Sequence, residues 1–394
     1  MRRIPICVAF ALSFAMLTGC WDRREINDIA FVSASAVDLE EDGNIRVTVQ
    51  FPLPGQMGGA GSSGGGGGTA GTKPWHTESA VGRTGREVTA LQQQSLSRTL
   101  NYSHRRVLIF GQDLAKNGIA EVLDVMGRIP QNRMSAFLFV TKGRGEALLE
   151  VPPTMEKIPA ELFREIVTLS YKRPVSVETT VNALLQEGID PYLPFMMTKS
   201  KGEGKLKNKE ASLSGVALFK DDKAAAFLTG DTARGMLYAL NQAKQPVVTI
   251  PAPEGSGYLS LRITSYDVSV ELLRSGATPT FRIALDGEMI ASENGSDYRF
   301  SENASSIATL ERAVDESMER IMRKAMAVAQ EAGSDPIGLG MHLYRHRPAD
   351  WRRLKSDWRS IYGRAEIEVV VRLRFQHPGT ITYPIGIPEK ELEP

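Results

Sequence analysis

The sequence contains two cysteines, Cys7 and Cys20, and only the second stands in a pattern that uses a thiol. Leu17-Thr18-Gly19-Cys20 closes a fourteen-residue, nearly uninterrupted apolar run, Ile4 to Leu17, behind the basic start Met1-Arg2-Arg3. A bilayer-spanning helix needs about 20 residues, so this run is too short to be one and reads as a signal sequence. Leu-x-Gly-Cys is the pattern of a bacterial lipobox. The thiol takes a diacylglycerol in thioether linkage, small Thr18 and Gly19 admit a membrane peptidase, and cleavage leaves Cys20 at the new N-terminus. Two acyl chains hold a protein stably where one holds it marginally, each buried methylene contributing ~0.8 kcal/mol. The expected chemistry is lipidation of Cys20, with residues 1–19 as the signal peptide.

Other chemistry-bearing residues form no comparable set. Residues 55–71 carry ten glycines in seventeen positions and match GxGxxG from Gly59 to Gly64 and GxSxG from Gly61 to Gly65. Neither match follows a strand and opens a helix, the context in which a phosphate cradle or nucleophile elbow works, so the tract reads as a flexible surface insertion. His342 and His346 have the spacing of two metal ligands on one helix face. No carboxylate lies between them, however, Pro348 ends the helix, and Arg345 and Arg347 would repel a cation, so a surface or packing role is expected. Trp351, Leu354, Trp358 and Ile361 make an apolar stripe among Arg352, Arg353, Lys355 and Arg359. That stripe is read as a core-packing helix with solvated arginines, in preference to one lying on an anionic membrane. Carboxylates are plentiful, but their spacing singles out no acid–base pair. Asn-x-Ser sequons at Asn101, Asn294 and Asn303 carry no glycosylation meaning behind a bacterial lipobox. No catalytic, cofactor-binding or metal residue is expected.

The composition agrees. Of 394 residues 42% are hydrophobic and 24% charged, an ordinary globular balance with room for two or three domains. Formal charge is +1. Losing Arg2 and Arg3 with the signal leaves 45 basic against 46 acidic side chains, which gives no electrostatic case for a nucleic-acid partner. With Cys7 removed and Cys20 acylated, neither a disulfide nor a thiolate metal site can form.

The elements that would carry such a body follow from periodicity. Ile29–Ala36 and Ile45–Phe51 flank a turn as a hairpin, and His76–Ala80 is strand-like. A helix is expected over Thr84–Leu100 with Val88, Leu91, Ser95 and Leu96 inward, then a strand Arg106–Phe110. Ile119, Val122, Leu123 and Met126 mark an amphipathic helix, followed by a strand Ala136–Thr141. Helical patterns at 156–170 and 175–187 precede an apolar Pro191–Met197. The Lys-rich residues 198–210 read as a linker. Beyond it come a hairpin about Lys220–Lys223, a helix Thr232–Leu240, a strand Gln245–Ile250 and long strands Tyr258–Leu273 and Thr280–Ile290. A long helix, Ser305–Glu331, and an alternating strand through Ile367, Val369, Val371, Leu373 and Phe375 complete the chain. Asp335-Pro336 after Gly333 reads as a helix stop followed by a helix start. The fold class expected is α+β (mixed α/β), multi-domain, with sheets layered by helices and a largely antiparallel C-terminal sheet.

Cys20-Trp-Asp-Arg-Arg-Glu-Ile-Asn-Asp-Ile29 directly after a lipobox resembles the mature start of the Ger(x)C spore germination lipoproteins, the C subunits of nutrient germinant receptors. The resemblance continues through His104–Gly111, Glu156–Pro159, Gly215–Lys220, Asp335–Gly340, Pro348–Trp351 and Trp358, and so covers nearly all of the mature chain in order. It implies a non-catalytic lipoprotein on the outer face of the spore inner membrane, acting with two integral-membrane partners, the A and B subunits, and no cofactor. It also implies three domains, which divide the chain into 20–197, a linker 198–210, a small middle domain 211–254 and a C-terminal domain 255–394. Cys20 carries over as the lipidated residue, and Asp335–Gly340 as a signature without a chemical role. The rival readings are a solute-binding lipoprotein of a transporter, which needs two similar parallel-sheet lobes, and a membrane-tethered hydrolase, which lacks its nucleophile context.

Overall fold

The computed structural model describes residues 25–54, 73–201, 208–300 and 304–379. Cys20 and the whole of the 55–71 tract lie outside these residues. The described chain builds one eight-stranded sheet, one four-stranded sheet and a two-stranded pair, β1 (Ile29–Phe31) with β5 (Thr99–Asn101).

The large sheet runs in the order β10-β9-β8-β7-β6-β2-β3-β4. Its centre is parallel: β2 (Ala34–Leu39), β6 (Val107–Gly111), β7 (Phe137–Thr141) and β8 (Tyr192–Lys201). Its flanks are antiparallel hairpins, β3 (Ile45–Pro52) with β4 (Trp75–Gly82), and β9 (Asn208–Lys220) with β10 (Lys223–Thr229). Both faces are covered, which is why β6 reads Val-Leu-Ile-Phe-Gly without a polar residue and is buried throughout. Leu108 and Phe110 face the helices α2 (Gln112–Asn117), α3 (Ala120–Arg128) and α6 (Val177–Leu185) through a core with Leu123, Met126 and Val177, while α1 (Gly85–Ser95) lies against β3 and β4. Val107 and Ile109 face the opposite core, with Phe163 and Val167 of α5 (Pro159–Ser170) and Leu148 of α4 (Glu146–Leu149).

The smaller sheet, β11-β12-β13-β14, comprises β11 (Val247–Pro251), β12 (Gly257–Arg274), β13 (Thr280–Ser296) and β14 (Glu366–Phe375). Only β13–β14 is parallel. Helix α8 (Ala304–Ala332) lies on it through Leu310, Val314, Met318, Met322, Ala325 and Ala329, and α7 (Gly230–Ala239) joins the same core. The outer strand β14 would present unpaired amides at a sheet edge, a site for unwanted strand pairing. Three carboxylates one helical turn apart on α8 take them: Glu311 bonds the amide of Phe375 at 2.8 Å, Asp315 that of Leu373 at 3.0 Å, and Glu319 that of Val371 at 3.1 Å. Crowding has a cost at the middle position, where burial, reinforced by Glu311 and Glu319, pushes Asp315 up to about 7.

Four expectations need correction. The Lys-rich stretch is no linker, because Lys199, Ser200 and Lys201 pair with Glu210, Lys209 and Asn208 as the outer end of a β8–β9 hairpin. Hairpin ends project into water and so look compositionally like linkers. Residues 211–254 form no separate body either, since β9 and β10 extend the large sheet while β11 belongs to the small one. The helix expected over Thr84–Leu100 ends at Ser95 and buries Val88 and Gln92 while Leu91 is 39% exposed. A polar residue holds the inward position because the Gln92 amide donates to Val47 O at 2.8 Å and Glu78 O at 3.2 Å. The Trp351–Ile361 stripe is broken into α10 (Pro348–Leu354) and α11 (Trp358–Tyr362) by a 3-10 turn, although Trp351, Trp358 and Ile361 are buried as expected.

Candidate functional site

The most densely built polar feature of the described chain lies where the two sheets meet, and the Asp335–Gly340 signature forms half of it. Helix α8 stops at Gly333, whose φ of +65° continues no helix. Ser334 and Asp335 follow at 0% and 1% exposure. The Asp335 carboxylate accepts the amides of Gly338, Leu339 and Gly340, each at 2.9 Å, and the Trp358 indole N–H at 3.2 Å, so it holds open the start of α9 (Leu339–His346). Burial raises Asp335 to about 6 against these donors, with nearby Asp190 adding to the rise.

The other half comes from the N-terminal sheet. A reciprocal Ser176–Thr179 cap starts α6, and Gly188, at φ +77°, turns the chain from α6 toward β8. Asp190 sits at that turn with its side chain 2% exposed. Its carboxylate accepts the amides of Asp335 at 2.8 Å and Asp221 at 3.0 Å, and pairs in fork fashion with Arg359, whose Nη2 reaches Oδ1 at 2.8 Å and whose Nη1 meets Oδ2. Arg359 also donates to Asp221 at 2.6 Å and to Gly333 O at 3.0 Å. The backbones approach closely beside it. Met341 N donates to Gly188 O at 2.7 Å, and a Cβ on Gly340 would lie 2.6 Å from the Trp358 indole nitrogen and 2.8 Å from Gly188 Cα. Trp351 seals the edge by donating to Glu187 at 2.6 Å, a bond that holds the Glu187 carboxyl below its usual range. A groove of about 1130 Å³ opens alongside, walled by Leu123, Val181, Leu185, Ile189, Trp351 and Trp358.

This arrangement joins and orients; it offers no nucleophile–base pair. The signature was expected to lack a chemical role, and its role here is to cap a helix and tie it to the other sheet. Its partners, Asp190 and Arg359, were not anticipated. They stand 169 positions apart, and Arg359 had been read as solvated. The only local hint was an aspartate before Pro191 following a glycine turn. His342 and His346 share α9 with rings 4.5 Å apart, and His346 Nδ1 contacts His342 O at 3.1 Å. Burial and the neighbouring imidazole hold His342 below the usual range.

Comparisons with known proteins define the class. Residues 22–198 match the family described as "Spore germination protein N-terminal domain", and residues 214–379 match "Spore germination B3/ GerAC like, C-terminal". The chain belongs to this spore germination protein family, and its role is in germination rather than in catalysis. It is 35% identical to the spore germination protein YfkR of Bacillus subtilis (strain 168), over 96% of this chain and 98% of that relative. It is 25% identical to spore germination protein KC of the same organism over 92% of each chain. The crystal structure of the GerBC protein shares the fold, with a TM-score of 0.56 at 17% identity over 90% of this chain and 99% of that one.

Proposed function

We propose that this chain is the lipid-anchored C subunit of a spore nutrient germinant receptor, held by Cys20 at the outer face of the spore inner membrane and assembled there with the integral-membrane A and B subunits. The observation that carries the reading is positional: the family match begins at residue 22, two residues after the lipobox cysteine. Among the described residues no helix is long and apolar enough to cross a membrane, which makes an acyl anchor the natural means of attachment. The subunit then acts by protein–protein contact, and the Asp190–Arg359–Asp335 junction supplies what that role needs, two sheets held in one orientation beside the membrane.

Deleting the gene tests the reading. Dormant spores are expected to form normally but to germinate slowly with at least one nutrient, and affinity purification of the chain from spore membranes should recover two multi-spanning proteins. Unchanged germination with every nutrient in a strain without a paralogue would refute it.

A further inference from the structure

A second cavity, of about 640 Å³, lies within the N-terminal body and adjoins the junction groove at Ala120, Asp124 and Asp222. Its walls are mostly apolar, among them Val37, Val47, Leu108, Leu114, Val125 and Met126. Polar residues line part of it as well, and one of them is a buried cation. Arg105 is 6% exposed, yet among the described residues no carboxylate pairs with it. Its guanidinium rests over the Tyr102 ring at 5.1 Å, donates to Asn132 Oδ1 at 2.6 Å and reaches Ser35 Oγ at 3.4 Å, while its buried Nε has no partner. Burial draws its pKa down only to about 10, so it remains a cation at neutral pH. A buried charge without a counter-charge is a costly arrangement that folding alone does not reward. The acidic residues along the same cavity are placed otherwise: Asp124 pairs with Arg128, Asp222 accepts the Ala120 amide, and Glu121 is exposed. Arg83 is paired with Glu87, and Arg86, exposed beside Tyr102, adds positive potential.

We propose that this cavity is a binding site for a small organic anion, a carboxylate with an apolar body, whose head group pairs with Arg105 while the body fills the apolar walls. The volume lies within the ~300–1,000 Å³ typical of small-molecule sites, which combine apolar walls with a few placed polar groups. A guanidinium offers a carboxylate several N–H donors, and the Nη hydrogens that Asn132 and Ser35 leave open are the ones a head group in the cavity would take. The site is independent of the receptor reading, since it rests on Arg105 and the cavity alone.

Calorimetric titration of the full chain in lipid nanodiscs, with empty nanodiscs as the blank, tests it. The probes are 3-phenylpropanoate and its neutral counterpart 3-phenylpropanamide. Saturable binding of the carboxylate is expected, with the amide roughly ten- to hundredfold weaker, the difference a charge-assisted hydrogen-bonded pair makes. Arg105→Met should remove the preference for the carboxylate while leaving the weak amide affinity, and Val125→Trp, which keeps Arg105 but fills the cavity, should abolish both. A palmitate arm separates a soluble acid from a membrane-derived one, tighter palmitate binding pointing to the membrane. No saturable carboxylate binding to the folded wild-type chain would overturn the proposal, as would equal affinity for carboxylate and amide or an Arg105→Met chain that still prefers the acid.

Discussion

Two arginines divide the molecule, one half-buried and one fully buried. Arg359, at the junction of the sheets, lies against Asp190 and Asp221 and a backbone carbonyl, with both terminal nitrogens, Nη1 and Nη2, engaged. Arg105, inside the N-terminal body, has an amide, a hydroxyl and an aromatic face, and a nitrogen left unbonded. A buried charge with counter-charge and hydrogen bonds fixes geometry, and its loss strands the partner. A buried charge without them is a standing cost, which is relieved by whatever brings the missing anion. The first arginine holds the fold together, and the second marks a place in it that is electrostatically incomplete.

Breaking the comparison should give its largest effect at the junction. Arg359→Met leaves the buried Asp190 side chain without its cation and should lower stability by about 3–5 kcal/mol in urea unfolding. Asp190→Asn combined with it should recover a good part of that loss, because no stranded charge remains; a simple sum of the two single effects would show that the pair does not act as a unit. Gly340→Ala drives a methyl against the Trp358 indole and Gly188 and should cost about 1–3 kcal/mol. Arg105→Met should move stability by less than about 1 kcal/mol, or raise it, although Arg105 is the more deeply buried of the two arginines. A loss at Arg105 as large as that at Arg359 would erase the distinction.

The smallest effect belongs to the carboxylates along β14. Asp315 titrates near 7 in the folded chain against an ordinary 3.8, so the folded state retains a proton that the unfolded state releases. Its contribution is therefore fully present below pH 3.8 and fades as pH climbs through 7, the reverse of a salt-bridged aspartate. The groups facing it are Glu311 and Glu319 on its own helix and Arg372 and Arg374 on the strand. Asp315→Asn keeps an acceptor for the Leu373 amide without the charge. Melting temperatures measured from pH 5 to 8 should decline less steeply in the variant than in the wild type, and parallel curves would contradict the assignment.

How much of this was legible in the sequence depended on the reach of each signal. Elements defined by local periodicity were: the β9–β10 hairpin, the long α8 with Leu310, Val314 and Met318 inward, and the alternating β14 stand where the pattern put them, whereas the strand expected over Ile29–Ala36 divides into β1 and a β2 that runs on to Leu39. The mixed α+β class and the mostly antiparallel C-terminal sheet followed from the same patterns. Features decided by partners far along the chain were not. Gln92 looked like a surface residue because nothing nearby announces Val47 O and Glu78 O as its acceptors. Lys199–Lys201 looked like a linker because a hairpin end in water carries the same residues as a loop. Asp335 was visible as a punctuation mark between helices, but Asp190, 145 positions earlier, was invisible as its counterpart. Arg105 carries no signal of its own in the sequence, and only the assembled fold shows that no carboxylate among the described residues pairs with it.

The anchor is the point on which the functional reading rests, and mass spectrometry of the N-terminal peptide from spore membranes addresses it directly. The account predicts a peptide beginning at Cys20 and carrying a diacylglycerol mass on its sulfur, with Cys20→Ala protein folded but released from the inner-membrane fraction. An unmodified Cys20, or a Cys20→Ala chain that stays with the membrane, would contradict it.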